Sequence, residues 1–203
     1  MRGISQIELD LALPKSMFKG IIKVVQDSNE QHPFEFDPAH FEVEVRPLAA
    51  GDYSICGFED EFAIERKNGL EELIGWFSGG RDRFYHELAL LSKIKTAYIV
   101  VERGNLAQIM RGEYDVDMGK SSVVGTINAC LARFKVPVFF AESRPIAQHF
   151  VMTAMNAFVS KQIEKAKKMA KWEHPRRGKT RRADGIPMEV ATQRGGTTAR
   201  PIY

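Results

Sequence analysis

Residues 53–56 and 61–67 are two extended runs separated by a short stretch that holds Gly57. A connection that short brings the second run back antiparallel to the first, because a parallel crossover needs a dozen or more residues. This hairpin argues against an all-parallel, doubly wound sheet. Upstream, residues 21–25 form a β-branched run, and Phe41, Val43 and Val45 alternate with Glu42, Glu44 and Arg46, the pattern of a half-buried strand. Residues 26–40 are polar, carry Pro33 and Pro38, and read as loop. Downstream, Leu70, Leu73, Ile74 and Phe77 share a helical face that ends at Ser78-Gly79-Gly80, and Phe84, Leu88 and Leu91 mark a second helix over 82–93. Residues 97–102 read as a buried strand. Val123, Ile127, Leu131 and Phe134 predict a helix over 121–134, followed by a strand over 136–141 and a long helix from Pro145. A hairpin feeding strand–helix alternation predicts a mixed central sheet flanked by helices, an α/β sandwich.

The 203 residues suit one domain over 20–170, an extension or arm over 1–19, and a tail over 171–203 that is Pro-, Gly- and Arg-rich and disordered by composition. No apolar run approaches the roughly 20 residues that span a bilayer, and Glu8 and Asp10 interrupt the place of a signal peptide. Cys56 and Cys130 have no metal-ligand spacing and read as reduced thiols of a cytoplasmic protein. The net charge of +3 is unevenly placed: from Lys161 onward there are twelve Lys or Arg against four Asp or Glu. Lys161, Lys165 and Lys168 share a helix face, and Arg176, Arg177, Arg181 and Arg182 extend the run, a footprint suited to DNA phosphates. No P-loop is present, so no ATP-driven motor is encoded.

The strand over 62–67 carries the chemistry. Alternation puts Phe62, Ile64 and Arg66 on one face and Ala63, Glu65 and Lys67 on the other, so a carboxylate and an ammonium project into the same space. Asp52, after Gly51, begins the partner strand and can lie beside Glu65 across the hairpin. Two such carboxylates repel, and a divalent cation relieves the repulsion. Mg²⁺ suits a site of one or two carboxylates that leaves room for water and phosphate, and Mn²⁺ substitutes for it. With Lys67 to offset charge on phosphate oxygens, these are the parts of phosphodiester hydrolysis.

The same residues stand in a wider pattern. Gly51-Asp52, a spacer, then Glu65-Arg66-Lys67 and Asn68-Gly69-Leu70-Glu71 resemble the signature of the XPF/Mus (ERCC-type) family of structure-specific nucleases. Asp27-Ser28-Asn29-Glu30-Gln31 and Gly80-Arg81-Asp82-Arg83-Phe84 resemble flanking blocks of that family, so the likeness covers residues 24–102.

The resemblance implies a restriction-endonuclease-like fold of the PD-(D/E)XK superfamily and Mg²⁺-dependent cleavage of branched or junction DNA in repair, recombination or phage replication. It implies Asp52, Glu65 and Lys67 as catalytic residues, Asp52, Glu65 and Asp27 as metal ligands, and Glu30 and Arg66 in support. Two departures stand out. Asn29 replaces an arginine, and the family's aspartate after Glu-Arg-Lys falls on Glu71, or on Glu72 with one inserted residue. Arg81 is a candidate phosphate contact, whereas Arg83 stands four residues before Glu87 and reads as an ion pair. Relatives pair through this domain, so homodimerisation through the helices from 121 and 145 is a further expectation. The alternative is a non-catalytic DNA-binding scaffold within a nuclease complex, and nothing in the sequence excludes RNA.

Overall fold

The structure, a computed structural model, describes residues 18–173. Six strands form one mixed sheet in the order β2-β1-β3-β4-β5-β6. They are β1 (Ile22–Gln26), β2 (Phe41–Val45), β3 (Tyr53–Ile55), β4 (Phe62–Lys67), β5 (Thr96–Val101) and β6 (Val138–Phe140). The expected hairpin joins β3 to β4 with Tyr53 opposite Ile64, while β4, β5 and β6 run parallel. The helices are α1 (Leu70–Ser78), α2 (Arg81–Lys93), α3 (Leu106–Arg111), α4 (Lys120–Phe134) and α5 (Arg144–Glu173).

Strand alternation creates two cores. Ala63 of β4 faces a cluster built by α1, α2 and α4, including Leu73, Phe84 and Val123. Phe62 and Ile64 face the opposite layer, where α5 contributes Ala147, Val151, Met155 and Phe158. Helices therefore cover both faces, as a restriction-endonuclease-like sheet requires. The α5 helix runs to Glu173, three residues into the segment read as tail. Residues 1–17 of the extension and residues 174–203 of the tail, with Arg176, Arg177, Arg181 and Arg182, lie outside the described residues.

Two expectations are corrected. The β2 strand is not half-buried: Phe41 is covered, but Val43 and Val45 are exposed, because β2 is the sheet's edge strand and has β1 alone as its neighbour. On α4 the buried stripe passes through Cys130 and not Leu131, which is exposed. Seven residues bring a side chain back to within about 20° of Val123, whereas eight rotate it by about 80°. The sequence sets out no element between residues 102 and 121, where the structure forms the short helix α3. Its signal is a capping box, in which Asn105 Oδ1 accepts from the Gln108 amide at 2.9 Å and Gln108 Oε1 accepts from the Asn105 amide at 3.0 Å.

Candidate active site

The sheet positions the site through register. With Tyr53 opposite Ile64, the next step along the ladder sets Asp52 beside Glu65. The Asp52 amide donates to the Ile64 carbonyl at 2.7 Å, and Asp52 Oδ2 accepts from the Arg66 amide at 2.6 Å. Both ends of this aspartate are thus tied to β4. Gly51 makes the approach possible: its φ is +77°, and a Cβ there would stand 2.9 Å from the Ile64 carbonyl oxygen. Gly51→Ala should therefore cost about 2 kcal/mol, through backbone strain plus the clash. Because the shift displaces Asp52, activity should fall as well. A thermal melt beside a rate assay checks both, and an unchanged melt would refute the close approach.

Asp52, Glu65 and Lys67 line one cleft of about 650 Å³, together with Asp27, Glu72 and Trp76. Lys67 Nζ lies 2.6 Å from Glu65 Oε1, 3.8 Å from Glu72 Oε1, and 4.6 Å from the centre of the Trp76 ring. Burial pushes the Asp52 carboxyl up to about 8, and the charge of Glu65 adds to the shift. Burial likewise raises Glu65, against the pull of Lys67. For Lys67, burial disfavours the charge, but Glu65, Asp52 and Glu72 outweigh it and hold the ammonium above its ordinary value.

Among the described residues, no three His, Cys, Asp or Glu side chains group as a metal cage. The candidate donor set is the Asp52–Glu65 pair, and two carboxylates raised chiefly by burial, Asp52 further by the charge of Glu65, fit a hard divalent cation that takes its remaining ligands from water and phosphate. Asp27, expected as a ligand, is buried and lines the same cleft, with its oxygens accepting from the amides of Asn29 at 2.7 Å and Leu48 at 2.6 Å. It thereby holds the segment leading into Gly51. Of the two candidates after Glu-Arg-Lys, Glu72 lines the cleft, while Glu71 is exposed and outside it. Arg81 lies on a separate groove with Phe77 and Tyr85. Arg83 lines the Asp52 cleft and pairs with Glu87 at 2.8 Å, as its spacing predicts.

On the other face of β4 is a charge network that sequence reasoning missed in part. The Arg66 guanidinium takes Glu30 through two bonds, 2.7 and 2.8 Å, and Glu102 through one of 2.9 Å. Burial raises Glu30, but the Arg66 guanidinium and the His32 amide together outweigh it and hold the carboxyl below its ordinary value. Glu102 is fully buried and also accepts from Arg144 at 2.6 Å, whose guanidinium reaches the Pro33 carbonyl at 2.5 Å. Glu30 and Arg66 were expected in support; Glu102 and Arg144 were not singled out. The only sequence signal for Glu102 is an acid ending a fully apolar strand.

Comparison with known proteins agrees with this architecture. No curated protein sequence matches the chain. Among solved structures, XPF from Aeropyrum pernix in complex with DNA is similar at a TM-score of 0.51 and 20% identity, over 70% of this chain and 66% of that one. A structure of XPF from Aeropyrum pernix alone gives 0.50 and 17%, over 74% of this chain and 71% of that one. The chain thus spans just under two thirds of the first of these relatives. At such identities the likeness is one of fold. The ERCC4 domain model, however, matches residues 25–153. That span runs from β1 into α5 and holds the whole Asp52–Glu65–Lys67 cluster, and on it the chain belongs to the ERCC4 domain family.

Proposed function

We propose that this protein is a divalent-metal-dependent endonuclease that hydrolyses phosphodiester bonds in branched or single-strand/duplex-junction DNA, in repair, recombination or phage replication. The observation that carries the reading is the convergence of Asp52, Glu65 and the charged Lys67 in one cleft. Asp52 and Glu65 would hold Mg²⁺ or Mn²⁺, with Asp27 a third acid lining the same cleft. The cation supplies Lewis acidity toward the phosphodiester and its attacking water. Lys67 donates to a non-bridging phosphate oxygen, where charge grows as the new P–O bond forms and the bond to the leaving sugar oxygen breaks. Trp76 and Glu72 restrict the ammonium's position. The Arg66 amide holds Asp52.

The similar Aeropyrum pernix XPF is described in complex with DNA. That supports DNA as the polymer here, as does the basic C-terminal region. Pairing of two copies through the outer faces of α4 and α5 belongs to the same proposal, with Leu131 the exposed apolar side chain it would cover. Among the described residues no helix is long and apolar enough to cross a membrane. A cytoplasmic setting is part of the proposal.

The test is cleavage of end-labelled fork, flap, duplex and single-stranded DNA, and of the matching RNA, with Mg²⁺, Mn²⁺ or chelator. Metal-dependent cuts near the branch are expected. Intact DNA binding with no cut in any substrate would replace this reading with that of a non-catalytic scaffold.

A further inference from the structure

Next to the Asp52 cleft lies a chamber of about 390 Å³ lined wholly by polar side chains. It shares Asn29, Asp52, Lys67 and Glu72 with that cleft and adds Gln31, His32 and Asn68. Strand direction explains its place. β1 and β4 are both antiparallel to β3, and β5 and β6 run parallel to β4. The 27–32 loop, Asn68, Arg103 and Arg144 therefore all follow the carboxyl ends of strands, the edge where open α/β sheets take their ligands. Lys161, Lys165 and Lys168 of α5 line a separate cleft with Glu61 and Lys95, at the start of β4 and β5, and take no part here.

Arg103 differs from the cations around it in what holds it. Arg66 is bound by Glu30 and Glu102, Lys67 by Glu65, Arg83 by Glu87, and Arg144 by Glu102. A phosphate that drew Arg66 away would strand the buried carboxylates of Glu30 and Glu102, at a large cost. Arg103 makes no ion pair among the described residues. It is exposed, and its Nη2 donates to a neutral acceptor, Asn68 Oδ1, at 2.5 Å. Pairing of the two strands sets up this contact, since the Glu102 amide donates to the Lys67 carbonyl at 2.8 Å just before it. The Glu72 carboxylate then links Asn68 to the lysine: one oxygen lies 3.8 Å from Lys67 Nζ, and the other accepts from the Asn68 amide at 2.8 Å. Arg103 thus stands one side chain beyond Lys67, with a full charge that no acid has claimed.

We propose that Arg103, steadied by Asn68, binds the phosphate adjacent to the one that is cut. The guanidinium offers a planar fork of donors matched to phosphate oxygens, and the bond to Asn68 orients it without neutralising it. The assignment rests on the nuclease reading and deepens it, because a backbone contact of this kind fixes which bond lies over Asp52 and Glu65 whatever the base sequence.

The experiment replaces single phosphates of a fork substrate with uncharged methylphosphonates, one position at a time. Wild-type cleavage in Mg²⁺ marks the cut bond. Binding is then measured with the metal-free Asp52→Asn protein, with and without Arg103→Ala. Neutralising the phosphate next to the cut should weaken binding by about tenfold when Arg103 is present. Arg103→Ala should weaken binding to the unmodified fork by a similar factor, lower the slope of log K against log salt by about one, and abolish sensitivity at that position alone. Arg103→Lys keeps the charge and should keep most of that sensitivity. Because the effect is a difference between positions of one substrate, a general loss of fold cannot imitate it. Equal sensitivity with and without Arg103, or an Arg103-dependent phosphate several nucleotides from the cut, would overturn the assignment. A wild type that cuts nothing defeats the nuclease reading, and one that cuts while no phosphate depends on Arg103 defeats the subsite alone.

Discussion

Asp52→Asn and Glu65→Gln are each expected to slow cleavage by at least about 10³-fold, a loss of about 4 kcal/mol of transition-state stabilisation. DNA affinity should stay within about threefold of wild type, because both side chains belong to the Asp52–Glu65 pair and neither contributes positive charge. The same substitution should stabilise the metal-free fold. Burial and Glu65 hold Asp52 at about 8, so near neutral pH its ionised form is disfavoured in the folded state. Asparagine removes that cost and can still accept from the Arg66 amide. Asp52→Asn should therefore melt a few degrees higher than wild type without metal, a gain of about 1–2 kcal/mol. Mn²⁺ should raise the wild-type melt and leave the variant's unmoved. A variant that melts lower, or still responds to Mn²⁺, would show that this pair is not the cation's site.

The sequence exposed this site because its central part is local. Glu65, Arg66 and Lys67 are consecutive, and a strand's period of two sends them to opposite faces whatever the sheet around them does. A short hairpin likewise leaves Asp52 few places to go. The residues that escaped notice are held by long connections. Arg144 is 42 positions from Glu102 and in the sequence stands only as the residue before the helix expected from Pro145. The placement of Lys161, Lys165 and Lys168 escaped for a related reason. Helical spacing shows that they share a face, but which end of the sheet that face reaches depends on how α5 packs back across β5. Burial of β2 was misjudged because alternation reports a strand and not its position in the sheet; an edge strand can carry Val43 and Val45 in the open. Leu131 was misplaced by an angle. Eight residues are not two whole turns, and Cys130, whose thiol burial pushes up to about 12, occupies the core position instead.

Arg66→Ala is expected to be the most destabilising substitution of the site, at about 3–5 kcal/mol, because it leaves two buried carboxylates without their cation. Glu30 and Glu102 are 4% and 0% exposed at their side chains, so water cannot replace the guanidinium. Arg144 would still hold Glu102, from the rim, but nothing comparable would hold Glu30. For a chain of this size the melt should fall by about 10 °C or more. Glu102→Gln should cost less. Its Oε1 can still accept from both arginines, and Oε2 has no partner among the described residues to lose. A cycle of Arg66→Met with Glu102→Gln separates the pair from its surroundings, since the double variant should lose less than the sum of the singles by about 1–2 kcal/mol. Additive losses would mean that Arg66 is anchored by Glu30 alone. The network would then tie β4 to the 28–34 loop and not to β5, and Arg144 would be free of any part in holding β4.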